Sequence, residues 1–258
     1  MDISLVIPCY NCAQFISSSI HTLVEYMDSL GLTYELIIVD DGSSDETAER
    51  LKKLQVEKAR YIWHSQNVGK FGALKSGFKE ATGRCCIFVD ADLPFDLSAI
   101  RRIYELVAIR GYHLVVGDRT LEDSNYDQTV PLLRRIMTSC YRTLVRLVAT
   151  GEIYDTQCGL KGFRGQVGRE LIALVRDVRF AGDLELLYVA LKYNLAIRRI
   201  PVRVRHGDFS KSSTVKAVRD SWNLLHRLLL LKLGWLGGQY ASSILEHHGR
   251  DRYWERIN

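Results

Sequence analysis

The chain has 258 residues, 47% of them hydrophobic and 25% charged, with a formal net charge of +5. These proportions are those of an ordinary globular protein, and the length suffices for one good-sized core. The mild positive excess suits anionic ligands or an anionic membrane surface and is too small to argue for nucleic acid.

The opening "MDISLVIP" enters strand character directly and does not read as a secretion signal. "ISLVIPCY" predicts a first strand and "FISSSIHTLVEYMDSL" an amphipathic helix. "YELIIVDD" predicts a second strand, followed by the helix "SSDETAERLKKL" with a Ser or Asp cap and acids in its first turn. "RYIWHS", the helix "GALKSGFKEAT" and the strand "CCIFVDAD" come next. "DLSAIRRIYELVAIRG" predicts a helix ending at a glycine, and "YHLVVGDR" a fifth strand. Near-continuous apolar strands alternating with helices predict a mostly parallel sheet covered on both faces. Ligands of such sheets bind outside the carboxyl ends of the strands, where Asp40, Asp41, Asp90, Asp92, Asp118 and Arg119 all fall.

Beyond Arg119 the alternation breaks. "EDSNYDQTV" reads as a loop and "PLLRRIMTSCYRTLVRLVA" as a helix with four arginines, of which Arg135, Arg142 and Arg146 read as a solvated or lipid-facing surface. "YDTQCGLKGFRG" reads as an irregular or hairpin segment, and "AIRRIPVRVRH" as a late strand near a sheet edge. From Thr214, "TVKAVRDSWNLLHRLLLLKLGWLGG" reads as a long apolar helix carrying Lys216, Arg219, Arg227 and Lys232. The expected organisation is an α/β catalytic domain over 1–212 and a C-terminal helical segment over 213–258. The six cysteines (Cys9, Cys12, Cys85, Cys86, Cys140 and Cys158) include one C-x-x-C without a second, so they read as small buried hydrophobes in a reducing compartment.

Asp90 and Asp92 raise the chemical question, because two carboxylates at the mouth of a buried strand repel each other and resist desolvation. A divalent cation between them and a phosphate removes that repulsion, and Mg2+ or Mn2+ are the oxygen-loving ions for the task. Neither a G-x-x-x-x-G-K-[ST] loop nor a G-x-G-x-x-G after the first strand is present, which argues against P-loop and dinucleotide chemistry. No His/Cys spacing suits zinc. A nucleotide diphosphate bridged to acids by a metal remains.

"VIPCYN", "VDDGSSDET", "NVGKFGAL", "VDADLPF", "DTQCGLKGF" and "FAGDLELL" stand in the order of family 2 glycosyltransferases, which the chain resembles from residue 3 to about 212. Within that family it is most similar to the polyprenyl-phosphate sugar synthases of the dolichyl-phosphate mannose or glucose type. The resemblance implies a GT-A fold and metal-dependent, inverting transfer of a hexose from a UDP- or GDP-sugar to a polyprenyl phosphate. It implies that Pro8, Tyr10, Asn11 and Asp40 line the nucleoside pocket and that Asp41 and Ser43 shape its loop. Asn67, Lys70 and Ala91 approach the donor, and Asp90 and Asp92 form the metal-binding D-x-D pair. Arg119, Arg134, Thr138 and Gln157 are implied at the acceptor phosphate, with Lys211 and Ser212 closing over the diphosphate. Cys12 and Pro94 depart from the family pattern, and Pro94 has no side chain that can ligate a metal.

A lipid phosphate is anionic at neutral pH and needs positive charge more than a general base. The alternative is transfer to a saccharide hydroxyl, with Asp183 or Glu185 as base; a further one is a nucleotide-sugar binding module without turnover. His206 reads as a loop residue with no ligating role. The C-terminal segment reads as an interfacial helix, with Arg227 and Lys232 snorkelling and Trp222, Leu229, Leu233 and Trp235 against lipid; a core helix and a membrane-spanning helix are the alternatives. The expected location is the cytoplasmic face of a membrane, as a peripheral protein.

Overall fold

The computed structural model describes residues 1–124, 155–178, 181–203 and 230–250. Strands β1 (Ile3–Cys9), β2 (Tyr34–Asp40), β3 (Ala59–Trp63), β4 (Cys85–Val89), β5 (Leu114–Asp118), β6 (Leu160–Arg164) and β7 (Ile197–Pro201) form one sheet. Their order is β3-β2-β1-β4-β6-β5-β7. All neighbours pair parallel except β6, which runs antiparallel to both β4 and β5.

Helices α1 (Ile16–Ser29), α2 (Thr47–Lys53), α3 (Lys70–Glu80), α4 (Ser98–Tyr104), α5 (Gly165–Leu174), α6 (Gly182–Lys192) and α7 (Ser243–Arg250) cover both faces, and α4 runs on into a π-helical turn at Glu105–Ile109. The alternation of side chains along each strand divides the core in two. Val6, Ile37, Val39 and Phe88 turn to one face, with Phe71 and Phe78 of α3, Leu171 of α5 and Leu184 and Leu187 of α6. Leu5, Ile7, Leu36, Ile38 and Ile87 turn to the other, with Ile16, Ile20 and Leu23 of α1, Leu51 of α2 and Ile100 and Ile103 of α4.

The chain steps from β1 out to β2 and β3, then crosses to the far side of β1 to make β4. That reversal leaves a crevice at the carboxyl ends of β1 and β4, the place where an open α/β sheet takes its ligand. Residues 155–159 lead into β6 at the same edge, because β6 runs against its neighbours.

Strand β6 departs from the irregular or hairpin segment expected at "YDTQCGLKGFRG". "LKGFR" lacks strand character because it carries a lysine and a glycine, yet the fold accommodates both where they stand. Lys161 is fully buried, and a Cβ at Gly162 would lie 2.0 Å from Ile103 Cγ2. The described end of the chain also packs on this domain: Leu231, Tyr240 and Leu245 are buried in the α3 face of the core. Trp235, expected against lipid, instead packs its ring 5.2 Å from Tyr193 and 6.5 Å from Tyr240, centroid to centroid.

Toward the amino end of β2, Glu35 is buried and gathers the chain around it. Its carboxylate accepts hydrogen bonds from Ser4 Oγ at 2.6 Å, Thr82 N at 2.9 Å and Thr82 Oγ1 at 2.7 Å, and pairs with Arg60. Burial alone would raise its pKa, but these donors outweigh burial and bring it down to about 2 from the usual 4.5. Because the folded value is the lower one, the contribution to stability is present above pH 4.5 and is lost as pH falls toward 2. Glu35→Gln should therefore lower the unfolding free energy by about 3 kcal/mol at pH 7, with the gap to wild type closing on acidification. Urea titrations at pH 7 and pH 3 check this; a gap that does not change with pH contradicts it.

Candidate functional site

The loops after β1 and β2 are stitched together. Asn11 N donates to Ser43 Oγ at 2.9 Å, and Ser43 Oγ donates to Asp40 Oδ1 at 2.5 Å. Asn11 Oδ1 in turn accepts from Ser44 N at 2.8 Å. Asn11 holds φ at +48°, a conformation asparagine tolerates better than most residues. Tyr10 stands 50% exposed at the mouth of the crevice, while Asp40 is buried behind it and Pro8 is partly covered.

Asp41 does a different job from Asp40. Its buried carboxylate accepts from Val68 N at 3.1 Å, Gly69 N at 2.8 Å and Asn67 Nδ2 at 3.0 Å. His64 Nδ1 lies 2.8 Å from the same carboxylate, and its Nε2 lies 2.9 Å from Ser76 Oγ. Asp41 thus organises the loop that launches α3. Gly42 lets the two loops meet: it has φ +69°, and a Cβ there would lie 2.5 Å from the Gln66 carbonyl carbon. The Asn67 amide is turned to Asp41, and Lys70, the first residue of α3, is set at the crevice.

Asp90 follows β4, with its backbone N–H bonded to Gly159 O at 3.2 Å. Its carboxylate fills the space that a side chain at position 159 would take, since a Cβ there would lie 1.7 Å from Asp90 Oδ2. Lys70 Nζ sits 2.7 Å from Asp90 Oδ1, with the two side chains 31% and 34% exposed. Burial would lower the Lys70 pKa, but Asp90 and then Asp183 outweigh it and hold the ammonium above the ordinary lysine value. The chain turns sharply after Asp90, Leu93 N donating to Asp90 O at 3.0 Å with Leu93 at φ +44°. Ala91 is buried in this turn and Asp92 is exposed. Desolvation and the neighbouring Asp90 both raise the Asp92 pKa, and Lys70 partly offsets them.

Lys161 and Asp183 make a second ion pair behind the first. Lys161 is wholly buried and donates to Asp183 Oδ1 at 2.5 Å and to Cys158 O at 2.8 Å. Both lysine ammonium groups lie against the Phe88 ring, Lys161 at 5.2 Å and Lys70 at 5.4 Å from its centroid. Glu185, two residues on, is equally committed. It accepts from Arg176 N at 2.9 Å, Asp177 N at 2.8 Å and the Tyr240 hydroxyl at 2.7 Å. Desolvation, and then that bond to Glu185, push the Tyr240 pKa up.

At the end of β5, Arg119 is gripped by buried Asp155. Its Nε and Nη2 donate at 2.7 and 2.8 Å and its backbone N at 3.0 Å. Gln157 is half-buried on the same stretch. Arg134, Thr138, His206, Lys211 and Ser212 lie outside the described residues, as do Cys140, Trp222, Arg227 and Leu229. The five described cysteines are buried free thiols.

Among the described residues no three His, Cys, Asp or Glu side chains gather into a cage for a metal. Asp90 and Asp92 nonetheless fit Mg2+ or Mn2+: they are hard oxygen donors, Gly159 cradles one of them, and a cationic group already sits against it. Sequence reasoning missed Lys161, Gly159 and Asp155. The signal for the first was a lysine inside the apolar run "CGLKGF".

The sequence profile described as glycosyl transferase family 2 matches residues 4–171. A dolichyl-phosphate beta-glucosyltransferase of Dictyostelium discoideum is 30% identical over 88% of this chain and 75% of its own. The Drosophila melanogaster protein of the same name is 32% identical over 82% of this chain and 69% of its own. A solved structure of Mycobacterium tuberculosis glucosyl-3-phosphoglycerate synthase, in complex with Mn2+, uridine-diphosphate and phosphoglyceric acid, matches with a TM-score of 0.67. It is 21% identical and covers 90% of this chain and 78% of its own, a likeness of fold.

Asp183→Asn strands a buried ammonium and should cost about 3–5 kcal/mol, most of it regained when Lys161→Met is added. Denaturant titrations of the single and double variants check this. Full stability in Asp183→Asn with turnover lost would make Asp183 a base instead of a structural partner.

Proposed function

We propose, for a chain that belongs to glycosyl transferase family 2 and has its GT-A fold, the transfer of glucose from UDP-glucose to a polyprenyl phosphate. The observation that carries the reading is the commitment of Asp183 and Glu185. A hydroxyl acceptor needs a base to take its proton, and both acids placed for that task are held, one by a buried lysine and the other by two backbone N–H groups and Tyr240. A phosphate acceptor needs none. The names of the relatives at 30% and 32% identity support glucose and a dolichyl-type phosphate. The uridine-diphosphate and Mn2+ of the mycobacterial structure support the donor nucleotide and a divalent ion.

In this reading Tyr10, Asn11 and Asp40 hold the nucleoside at the ends of β1 and β2, and Asp41 fixes the loop that carries Lys70. Asp90 and Asp92 hold the divalent ion, which when bound offsets the charge of the departing diphosphate. Arg119, kept in orientation by Asp155, meets the acceptor phosphate with Gln157, Arg134 and Thr138, and Lys211 covers the donor. An acceptor oxygen attacks the anomeric carbon in line as the bond to the diphosphate breaks, and the diphosphate leaves with the electron pair. The chain's residues align the two anions and stabilise their charge, so that an α-linked donor gives a β product.

No helix among the described residues is long and apolar enough to cross a membrane. Attachment to a membrane surface is supported by helical residues 230–236. Leu230, Leu233 and Leu236 are 48%, 55% and 81% exposed along one side, beside exposed Lys232, while Leu231 anchors the other side in the core.

The test is a transfer assay in detergent with labelled UDP-glucose or GDP-mannose, Mn2+ or Mg2+, and a polyprenyl phosphate. Label should pass from UDP-glucose to the organic phase, and Asp92→Asn should reduce it at least about a hundredfold while the protein stays folded. Label that stays in water with every donor, although donor binds, contradicts the proposal.

A further inference from the structure

The two lysine–carboxylate pairs differ in one decisive respect. Lys161 and Asp183 are closed off, with side-chain exposures of 0% and 8%. Lys161 is also tied to Cys158 O and sits on β6 opposite Phe88, so it has nowhere to go. Lys70 and Asp90 lie open in the crevice, each about one-third exposed. Within that open pair the carboxylate is the fixed member. Asp90 is bonded through its backbone to Gly159, and its side chain fills the space above that glycine. The lysine is the movable member. Its backbone is held through the Asp41-bonded loop, but its ammonium rides on a flexible four-carbon stem.

We infer that Lys70 is an exchangeable counter-ion of Asp90, which makes binding of the divalent ion depend on binding of the nucleotide diphosphate. This rests on the metal-assisted reading above and adds to it the order in which charges are exchanged. Asp90 Oδ1 is already engaged by an ammonium at 2.7 Å, so an ion drawing on that carboxylate competes with Lys70 and meets its charge. A displaced ammonium needs another anion close by. Asp183 is taken by Lys161, and Asp92 is itself a ligand for the ion. The diphosphate is the anion that arrives with the ion, and Lys70 transfers from carboxylate to phosphate as it binds. An ion arriving alone offers Lys70 no such partner and meets its repulsion at short range. The buried Lys161 keeps Asp183 from serving as a resting place for Lys70, and so keeps the exchange between Asp90 and the ligand.

The experiment measures Mn2+ binding to the full chain by electron paramagnetic resonance, with and without saturating UDP, in wild type, Lys70→Gln and Lys70→Arg. Thermal melts establish that each is folded. In wild type, UDP should tighten Mn2+ binding at least about tenfold, within the usual range of coupling between sites. Lys70→Gln should bind Mn2+ alone at least about fivefold more tightly than wild type, with the enhancement by UDP smaller by the same factor. Lys70→Arg, which keeps the charge, should leave binding of Mn2+ alone weak. Lys70→Gln binding Mn2+ alone no more tightly than wild type overturns the inference, as does Lys70→Arg behaving like Lys70→Gln. UDP binding in every protein with no Mn2+ bound in any overturns the metal-assisted reading itself, a distinct result.

Discussion

The packing of the Asp90 carboxylate against Gly159, with Lys70 on its open side, is the contact on which the crevice depends. A carboxylate at the end of a buried strand loses solvation on one face and meets a second carboxylate two residues away. The fold answers with shape on one side and charge on the other. Shape comes from β6, whose antiparallel course between β4 and β5 delivers residues 155–159 to an edge otherwise made of strand ends. Charge comes from α3, aimed at the crevice because Asp41 bonds the two backbone N–H groups that precede Lys70. Each device depends on a partner far away in sequence, so the site cannot form before the sheet does.

The acids of the crevice divide by what surrounds them. Asp41, Asp155, Asp183 and Glu185 are buried and hold backbone N–H groups or cations, and their loss falls on the fold. Asp90 and Asp92 keep solvent access and each other's repulsion. On the proposed reading, chemistry falls to the pair whose charge is not fully answered by protein. The same contrast separates the lysines: a buried one fixed between an acid and a carbonyl, and an open one able to change partners.

Much of this was legible in the sequence. Apolar strands ending in acids announced a parallel sheet with charge at one edge, and the strand-end positions of Asp40, Asp41, Asp90, Asp118 and Arg119 followed from that pattern alone. What stayed hidden was pairing at long range. "LKGFR" has no strand signal, because Lys161 is tolerated only through Asp183, 22 residues on. Asp40 and Asp41 are adjacent and chemically identical, yet one is bonded to the turn of its own loop and the other supports the next helix. That division follows from the side to which each successive side chain points at the end of β2, and from a loop 23 to 28 residues away. Glu185 read as a candidate base because nothing local reveals that Tyr240, 55 residues later, closes over it.

The most direct test of the account is a crystal structure of the chain with Mn2+ and UDP. The ion should lie on Asp90 and Asp92, with Lys70 moved from Asp90 to a phosphate oxygen and Lys161 still on Asp183. A nucleotide bound elsewhere, or an ion whose ligands include neither Asp90 nor Asp92, would contradict it.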